Sequence, residues 1–377
     1  MELTTTRTDI FPTIKRLSVV AGKPSDAIRG SILFSATGES LTLTATDSAM
    51  TASRTLKVNV AAHGTVAIPA SNLSSVLSVI ADGPATFALD PETNRVTVKS
   101  GRSKYTLTGL AATDFPPAPT PITGTPLTID AAHFRRIVDQ TWFSVAPDDN
   151  RYGLNGAHID AVDTPDGRML RMVSTDGNRL SWAQAPFSGN LGIGRRMLLP
   201  RKPLGEVRKM IDGYSGPVEI RFGERAAEVS FEGTTVNMRL LEAEFPNYKE
   251  VMPIVFKRRI MVTRLEILES LRRVGVFAVD SSHSIRLACS PDGIVFTARK
   301  LDSGDAREEL GVKSYDGQPI ILGTNGHYLM EVLNACNEDT VRLSIGEELS
   351  PIMIQPMESD DQPAESCLFI IMPVRLE

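Results

Sequence analysis

Apolar and polar residues alternate with period two in three strands that recur along the chain: Phe87 and Leu89; Val218, Ile220 and Phe222; Val341, Leu343 and Ile345. From Phe87 to Val218 is 131 residues, and from Val218 to Val341 is 123. A punctuated strand-to-helix junction precedes each run. Val66-Ala67-Ile68-Pro69 leads into Leu73, Val76, Leu77 and Ile80, and Met197-Leu198-Leu199-Pro200 into Leu204, Val207, Met210 and Ile211. Ile320-Ile321-Leu322-Gly323 leads into Tyr328, Leu329, Val332 and Leu333. Pro69, Pro200 and Gly323 repeat the offsets 131 and 123, so two independent features share one period.

Each repeat also opens with apolar residues at helical spacing: Ile10, Ile14 and Leu17; Phe134, Ile137, Val138 and Thr141, capped by Asp130; Ile267, Leu271 and Val274. Pro12 is compatible with the first of these helices if it lies in the opening turn after Thr8 or Asp9. Short strands such as Leu41–Thr44 and Leu170–Val173 fill the space between the two helices, and Phe115-Pro116, Phe245-Pro246 and Met372-Pro373 close the repeats. The expected fold class is α+β: three repeated domains, 1–122, 123–254 and 255–377, each ordered helix, strands, helix, strands. Two helices in each pack on antiparallel sheet. Pro117, Pro119, Pro121 and Gly124 form the first linker.

Composition narrows the function classes. The 377 residues carry 40 Lys+Arg and 45 Asp+Glu, a formal net charge of −5, with 42% hydrophobic and 23% charged residues. That is ordinary for a globular chain. No apolar run of about 18 residues occurs, so no membrane span is expected, and Met1-Glu2-Leu3-Thr4 has neither the basic nor the apolar part of a secretory leader. Cys289, Cys336 and Cys367 are an odd, sparse set that fits a reducing cytoplasm and reads as buried small hydrophobes. His63, His133, His158, His283 and His327 show no metal-ligand spacing, so no metal or cofactor is expected. Gly189, Gly192 and Gly194 lack the strand, helix and Lys-Ser/Thr of a phosphate loop. A hydrolase built on Asp176 would need a nucleophile–base pair that the chain lacks, and Asp176-Gly177 after a strand reads as a hairpin turn, like Asp47 in the first repeat. No enzyme is expected. A purely structural repeat protein is the remaining alternative to a binding function.

Three segments ask for a binding function: Arg151-Tyr152-Gly153-Leu154-Asn155-Gly156, the run Thr175-Asp176-Gly177-Asn178-Arg179-Leu180, and the apolar chain end Ile370-Ile371-Met372-Pro373-Val374-Arg375-Leu376-Glu377. A terminus this apolar needs a partner. With Phe245-Pro246-Asn247-Tyr248 through Val251-Met252-Pro253, and Gly101-Arg102-Ser103 before an alternating strand, these motifs resemble, over the whole chain and in order, the bacterial sliding clamps, the beta subunits of DNA polymerase III.

The resemblance implies the DNA-clamp fold and a head-to-tail homodimer closed into a ring around double-stranded DNA, cytoplasmic and nucleoid-associated, acting as the processivity factor of the replicative polymerase. Lys104, Tyr105 and Leu107 on one side and Val276 and Phe277 on the other match the family's dimer interface, with edge strands pairing across the joint. Lys23, Tyr152, Gly153, Arg201 and Lys202 match DNA-contacting positions. Helix-borne cations, Lys15, Arg16, Arg135, Arg136, Arg201, Lys202, Arg208, Lys209, Arg272 and Arg273, are candidates for sequence-independent phosphate contacts. Ser71-Asn72 replaces a basic pair of the best-known clamps.

A pocket for short linear motifs is also implied. It takes the replicative polymerase alpha subunit, the clamp loader delta subunit, translesion polymerases and mismatch-repair proteins. The matching positions are Thr175, Gly177, Asn178, Arg179 and Leu180 from the hairpin, Pro246 and Val251 from the loop, and Ile370, Met372, Pro373, Val374, Arg375 and Leu376 from the chain end. Arg151, Leu154, Asn325 and Tyr328 extend it as a groove. Asn178 and Val374 depart from commoner family residues, and Val374 in place of Met removes some pliability.

Overall fold

The computed structural model describes all residues except 23–24, 48, 148–152, 166, 192–196, 253–254, 279–281, 301–302, 360–361 and 377. Among the described residues, six α-helices form: α1 (Arg7–Ser18), α2 (Ala70–Val79), α3 (Ala131–Asp139), α4 (Arg201–Met210), α5 (Arg264–Gly275) and α6 (Gly326–Ala335). They are the two helices expected per repeat, with Ile10, Ile14 and Leu17 buried on α1, Leu73 and Leu77 on α2, and Ile267, Leu271 and Val274 on α5. Asp130 caps α3 as expected, its carboxylate accepting the Ala132 N–H at 2.8 Å.

Three expectations need correction. Each repeat opens with a strand before its first helix, Glu2–Thr6, Leu127–Asp130 and Arg258–Thr263. These strands are too short for their alternation to stand out beside the helix that follows. Helix α1 begins at Arg7, because the Thr6 hydroxyl accepts the Asp9 N–H at 3.2 Å and donates to the Asp9 carboxylate. Pro12 therefore sits inside the helix, not in its opening turn. In the third repeat the residue equivalent to Pro69 and Pro200 is Asn325, not Gly323. The helices follow at 70, 201 and 326, and the Asn325 side chain caps α6 by accepting the Tyr328 N–H at 3.0 Å.

The described chain falls into two compact units, Met1–Ala132 with Ser188–Arg195 and Lys202–Leu240, and His133–Phe187 with Arg196–Arg201 and Leu241–Glu377. The first holds a five-stranded and a nine-stranded antiparallel sheet, and the second a nine-stranded and a four-stranded one. The strands of the middle repeat are shared out between them. In the first unit Thr234–Arg239 pairs with Met50–Lys57, and in the second Arg179–Pro186 pairs with Cys367–Ile371. Residues 116–126 carry no helix or strand, as a linker there requires.

A third common feature of the repeats is a closing bridge onto the junction strand. Leu110 and Ala67 exchange N–H···O bonds of 3.1 and 2.8 Å, Leu241 donates to Leu198 at 3.0 Å, and Val374 donates to Gly323 at 2.9 Å. All three cysteines are buried, and burial pushes the Cys289 and Cys367 thiols up to about 12.

Candidate functional site

The tight connection between Gly167–Thr175 and Arg179–Pro186 is the local structure on which the site is built. The buried Asp176 carboxylate accepts the N–H groups of Asn178 (2.9 Å) and Arg179 (3.1 Å), an Asx turn, and Gly177 supplies the positive φ of +89° that the bend needs. The Thr175 hydroxyl donates to the Arg179 carbonyl at 2.6 Å and accepts the Gly177 N–H at 3.1 Å. Asp47 builds the same turn in the first unit, accepting from Ala49 and Met50 at 2.7 and 2.8 Å. The turn reading of both aspartates is therefore the observed one.

Arg179 is only 8% exposed, and its charge is fully engaged. Its Nε donates to Asp176 at 3.0 Å, Nη2 to the Phe143 carbonyl at 2.6 Å, and Nη1 to the Glu331 carboxylate. The guanidinium also lies 4.1 Å from the Tyr328 ring centroid and 5.3 Å from that of Phe143. Glu331 is shared with His327, whose Nε2 is 3.4 Å away.

Beside this hairpin lies a cavity of about 210 Å³ lined by Leu154, Thr175, Gly177, Arg179, Leu180, Pro246, Asn247, Tyr248, Val251, Ile370 and Met372. Behind it Val173, Leu180, Trp182, Tyr248, Met353, Leu368 and Ile370 form one buried apolar cluster, with Phe245, Met252 and Phe256 packed against it. His158 stacks on Phe245 with centroids 5.3 Å apart and ring planes 11° from parallel, and burial lowers its pKa below the usual value.

Nine of the sequence-nominated pocket residues thus meet at one cavity: Leu154, Thr175, Gly177, Arg179, Leu180, Pro246, Val251, Ile370 and Met372. Tyr328 reaches it through Arg179, and Asn325 acts behind it as the cap of α6. The Asn178 carbonyl accepts the Met372 N–H at 2.8 Å, holding the chain end to the hairpin. Pro373, Val374, Arg375 and Leu376 do not line the cavity. They run on to the strand Ile320–Asn325, where Val374 and Leu376 cover Gly323 so closely that a Cβ there would collide with the Val374 carbonyl oxygen. Arg151 lies outside the described residues. Asn247 and Tyr248 are lining residues that the sequence reading missed. The signal was the 3₁₀ turn Tyr248–Val251, whose i and i+3 side chains face one way and so bring Tyr248 in beside Val251.

The DNA candidates divide. Lys23 and Tyr152 lie outside the described residues. Gly153 (φ +89°) is a packing position, since a Cβ would meet the Glu244 carbonyl oxygen at 2.6 Å. The Arg201 guanidinium lies 4.2 Å from the Trp142 ring centroid, and burial lowers its pKa. Lys202 is exposed and paired with Asp47. Of the helix cations, Arg16 pairs with Glu232, Lys209 with Glu206, and Arg273 with Glu269 and Glu308. Lys15 and Arg272 stand exposed.

At the interface positions, Ser103–Thr108 is an edge strand with Lys104 exposed, Tyr105 half-buried and Leu107 buried in its own sheet. Val276 and Phe277 are not on an edge strand: they follow the end of α5. In the four-stranded sheet of the second unit, Gly304–Leu310 is an edge strand, and its first residue, Gly304, lies against the Phe277 ring.

Among the described residues no group of three His, Cys, Asp or Glu side chains could hold a metal ion, and no helix is long and apolar enough to cross a membrane. The site offers a preformed apolar slot with one fixed guanidinium, which suits recognition of a short apolar segment.

Comparison with known proteins gives one answer along the whole chain. Family models for the DNA polymerase III beta subunit match in order: the N-terminal domain over residues 1–119, the central domain over 128–247 and the C-terminal domain over 249–375. Proteins named beta sliding clamp from Vibrio cholerae and Escherichia coli are 27% and 28% identical over 378 residues, with 100% of each chain covered. The crystal structure of a sliding clamp (DNA polymerase III subunit beta) from Bartonella birtlesii bound to griselimycin matches with a TM-score of 0.92 at 25% identity, covering 100% of both chains.

Proposed function

This chain belongs to the DNA polymerase III beta-subunit family, the sliding clamps, and from that premise we propose how its own residues do the family's work. The family is a non-catalytic processivity factor that binds DNA and polymerase partners. Two copies join head to tail into a ring, and each divides into domains at 1–122, 123–254 and 255–377. A heterologous contact whose rotation closes makes such a ring.

The observation that carries this reading is a pair of sheet edges, each without a partner strand among the described residues. Ser103–Thr108 exposes Lys104, with Lys99 and Arg102 beside it, while Gly304–Leu310 exposes Asp305, Arg307 and Glu309, Arg307 being paired with Glu309 in its own strand. Pairing them across two protomers satisfies both rows of backbone groups. Tyr105 and Leu107 support the first edge from below, and Val276 and Phe277 flank the second.

Duplex DNA is then held by topology, so weak phosphate contacts suffice and a net charge of −5 is no obstacle. Lys202, Lys15 and Arg272 are the accessible cations for this, with Lys23, Tyr152, Gly153 and Arg201 as the family-matched positions. The apolar cavity takes short linear motifs of the replicative polymerase alpha subunit, the clamp loader delta subunit, translesion polymerases and mismatch-repair proteins. Tethering raises their effective concentration at the primer end. The protein works in the cytoplasm at the nucleoid.

The test is topological. Loaded on nicked circular DNA by a clamp loader, the protein should stay bound through gel filtration in moderate salt and be lost once the circle is cut. Retention on the linear product would overturn the ring.

A further inference from the structure

Resting on the reading of the cavity as a peptide groove, we propose that Asp176, which lines no part of that groove, is the positioning residue that holds two of its walls in register and so sets motif affinity without touching the motif. One buried carboxylate ties together three things. It accepts the Asn178 and Arg179 N–H groups, and it binds the Arg179 guanidinium at Nε. By closing the turn it also aims the Asn178 carbonyl at the Met372 N–H, 2.8 Å away. Thr175, Gly177, Arg179 and Met372 all line the groove. The hairpin wall and the chain-end wall therefore share a support that neither wall exposes.

The repeat supplies an internal comparison. Asp47 closes an equivalent turn, and the carbonyl of Ala49 accepts the Arg239 N–H at 3.3 Å just as Asn178 accepts that of Met372. There the chain has Met50 in place of Arg179, because Met50 pairs with Met238 as Arg179 pairs with Ile371. The turn is thus common to both repeats. Asp47 instead pairs with the exposed Lys202, so the link from the turn carboxylate to a buried guanidinium of its own hairpin belongs to the copy beside the groove.

Asp176→Asn keeps an oxygen for the two backbone N–H groups and removes the charge that faces Arg179. The probe is a fluorescein-labelled peptide copying the clamp-binding tail of the replicative polymerase alpha subunit, read by anisotropy on the full chain. A charged hydrogen-bonded support lost behind a wall should weaken binding about tenfold or more. The Met372 methyl resonance should shift in the same variant. Asp47→Asn should lower the melting temperature to a similar degree and leave both the affinity and the Met372 signal unchanged. If D176N does not fold, Asp176→Ser, which caps a turn but is too short to reach the guanidinium, takes its place with the same expectation. Unchanged affinity in the folded variant overturns the proposal, as does an equal loss in D47N. Failure of the unaltered protein to bind the peptide overturns the groove reading itself, and this inference with it.

Discussion

His158 shows how a single side chain can make the site pH-dependent. It lies flat on Phe245, one residue before the groove residue Pro246, and burial depresses its pKa, so the stacked ring is neutral. A base with a depressed folded pKa contributes stability above its ordinary value of 6.5. That contribution is lost as the pH falls from 6.5 through the depressed value. The melting temperature should therefore drop between pH 7 and pH 5, and His158→Phe should flatten that slope. An unchanged slope in the variant would show that other groups set it. Arg179 makes the complementary point. A guanidinium 8% exposed is tolerable because two carboxylates and a carbonyl surround it. Sequence named Arg179 as a groove residue, but nothing along the chain announces Glu331 or Phe143, at 152 and 36 residues' separation, as its partners.

At the scale of elements, the contact between the chain end and the strand Ile320–Asn325 depends on one missing side chain. Val374 and Leu376 sit directly over Gly323, where Ala67 and Leu198 carry side chains in the earlier repeats. Gly323→Ala should push the tail off its strand, weakening motif binding through Met372 while leaving the four-stranded sheet folded. Peptide anisotropy with far-ultraviolet circular dichroism checks both halves, and intact binding would mean that the tail is held from the Asn178 side alone. This position also shows how far the sequence could be read. The repeat places α2, α4 and α6, which begin at 70, 201 and 326, to within two residues, because apolar stripes such as Leu329, Val332 and Leu333 must be buried whatever the context. The glycine looked like the counterpart of Pro69 and Pro200 because it punctuates an apolar strand. Its reason for being glycine is a backbone approach from residue 374, which no local pattern encodes. Tyr248 was missed for a related reason: in a 3₁₀ turn the facing residues are three apart, and the segment is too short to show a period.

At the scale of the whole molecule, the proposed joint between protomers is the element most exposed to a single change. Phe277 is half-buried beside the start of the edge strand Gly304–Leu310. In the proposed ring Phe277→Asp would place an unpaired charge at the joint. The expected product is a folded monomer by sedimentation velocity, with unchanged circular dichroism; a dimer would place the joint elsewhere. The partition of the middle repeat has a different consequence. Its strands are hydrogen-bonded to the first repeat through Met50–Lys57 in one unit and to the third through Cys367–Ile371 in the other. A chimera that swaps this repeat wholesale between orthologues cuts two ladders at once. One that trades residues along the borders of the compact units leaves every ladder whole, so the natural cassette for recombination is not the segment that the periodicity of the chain delineates.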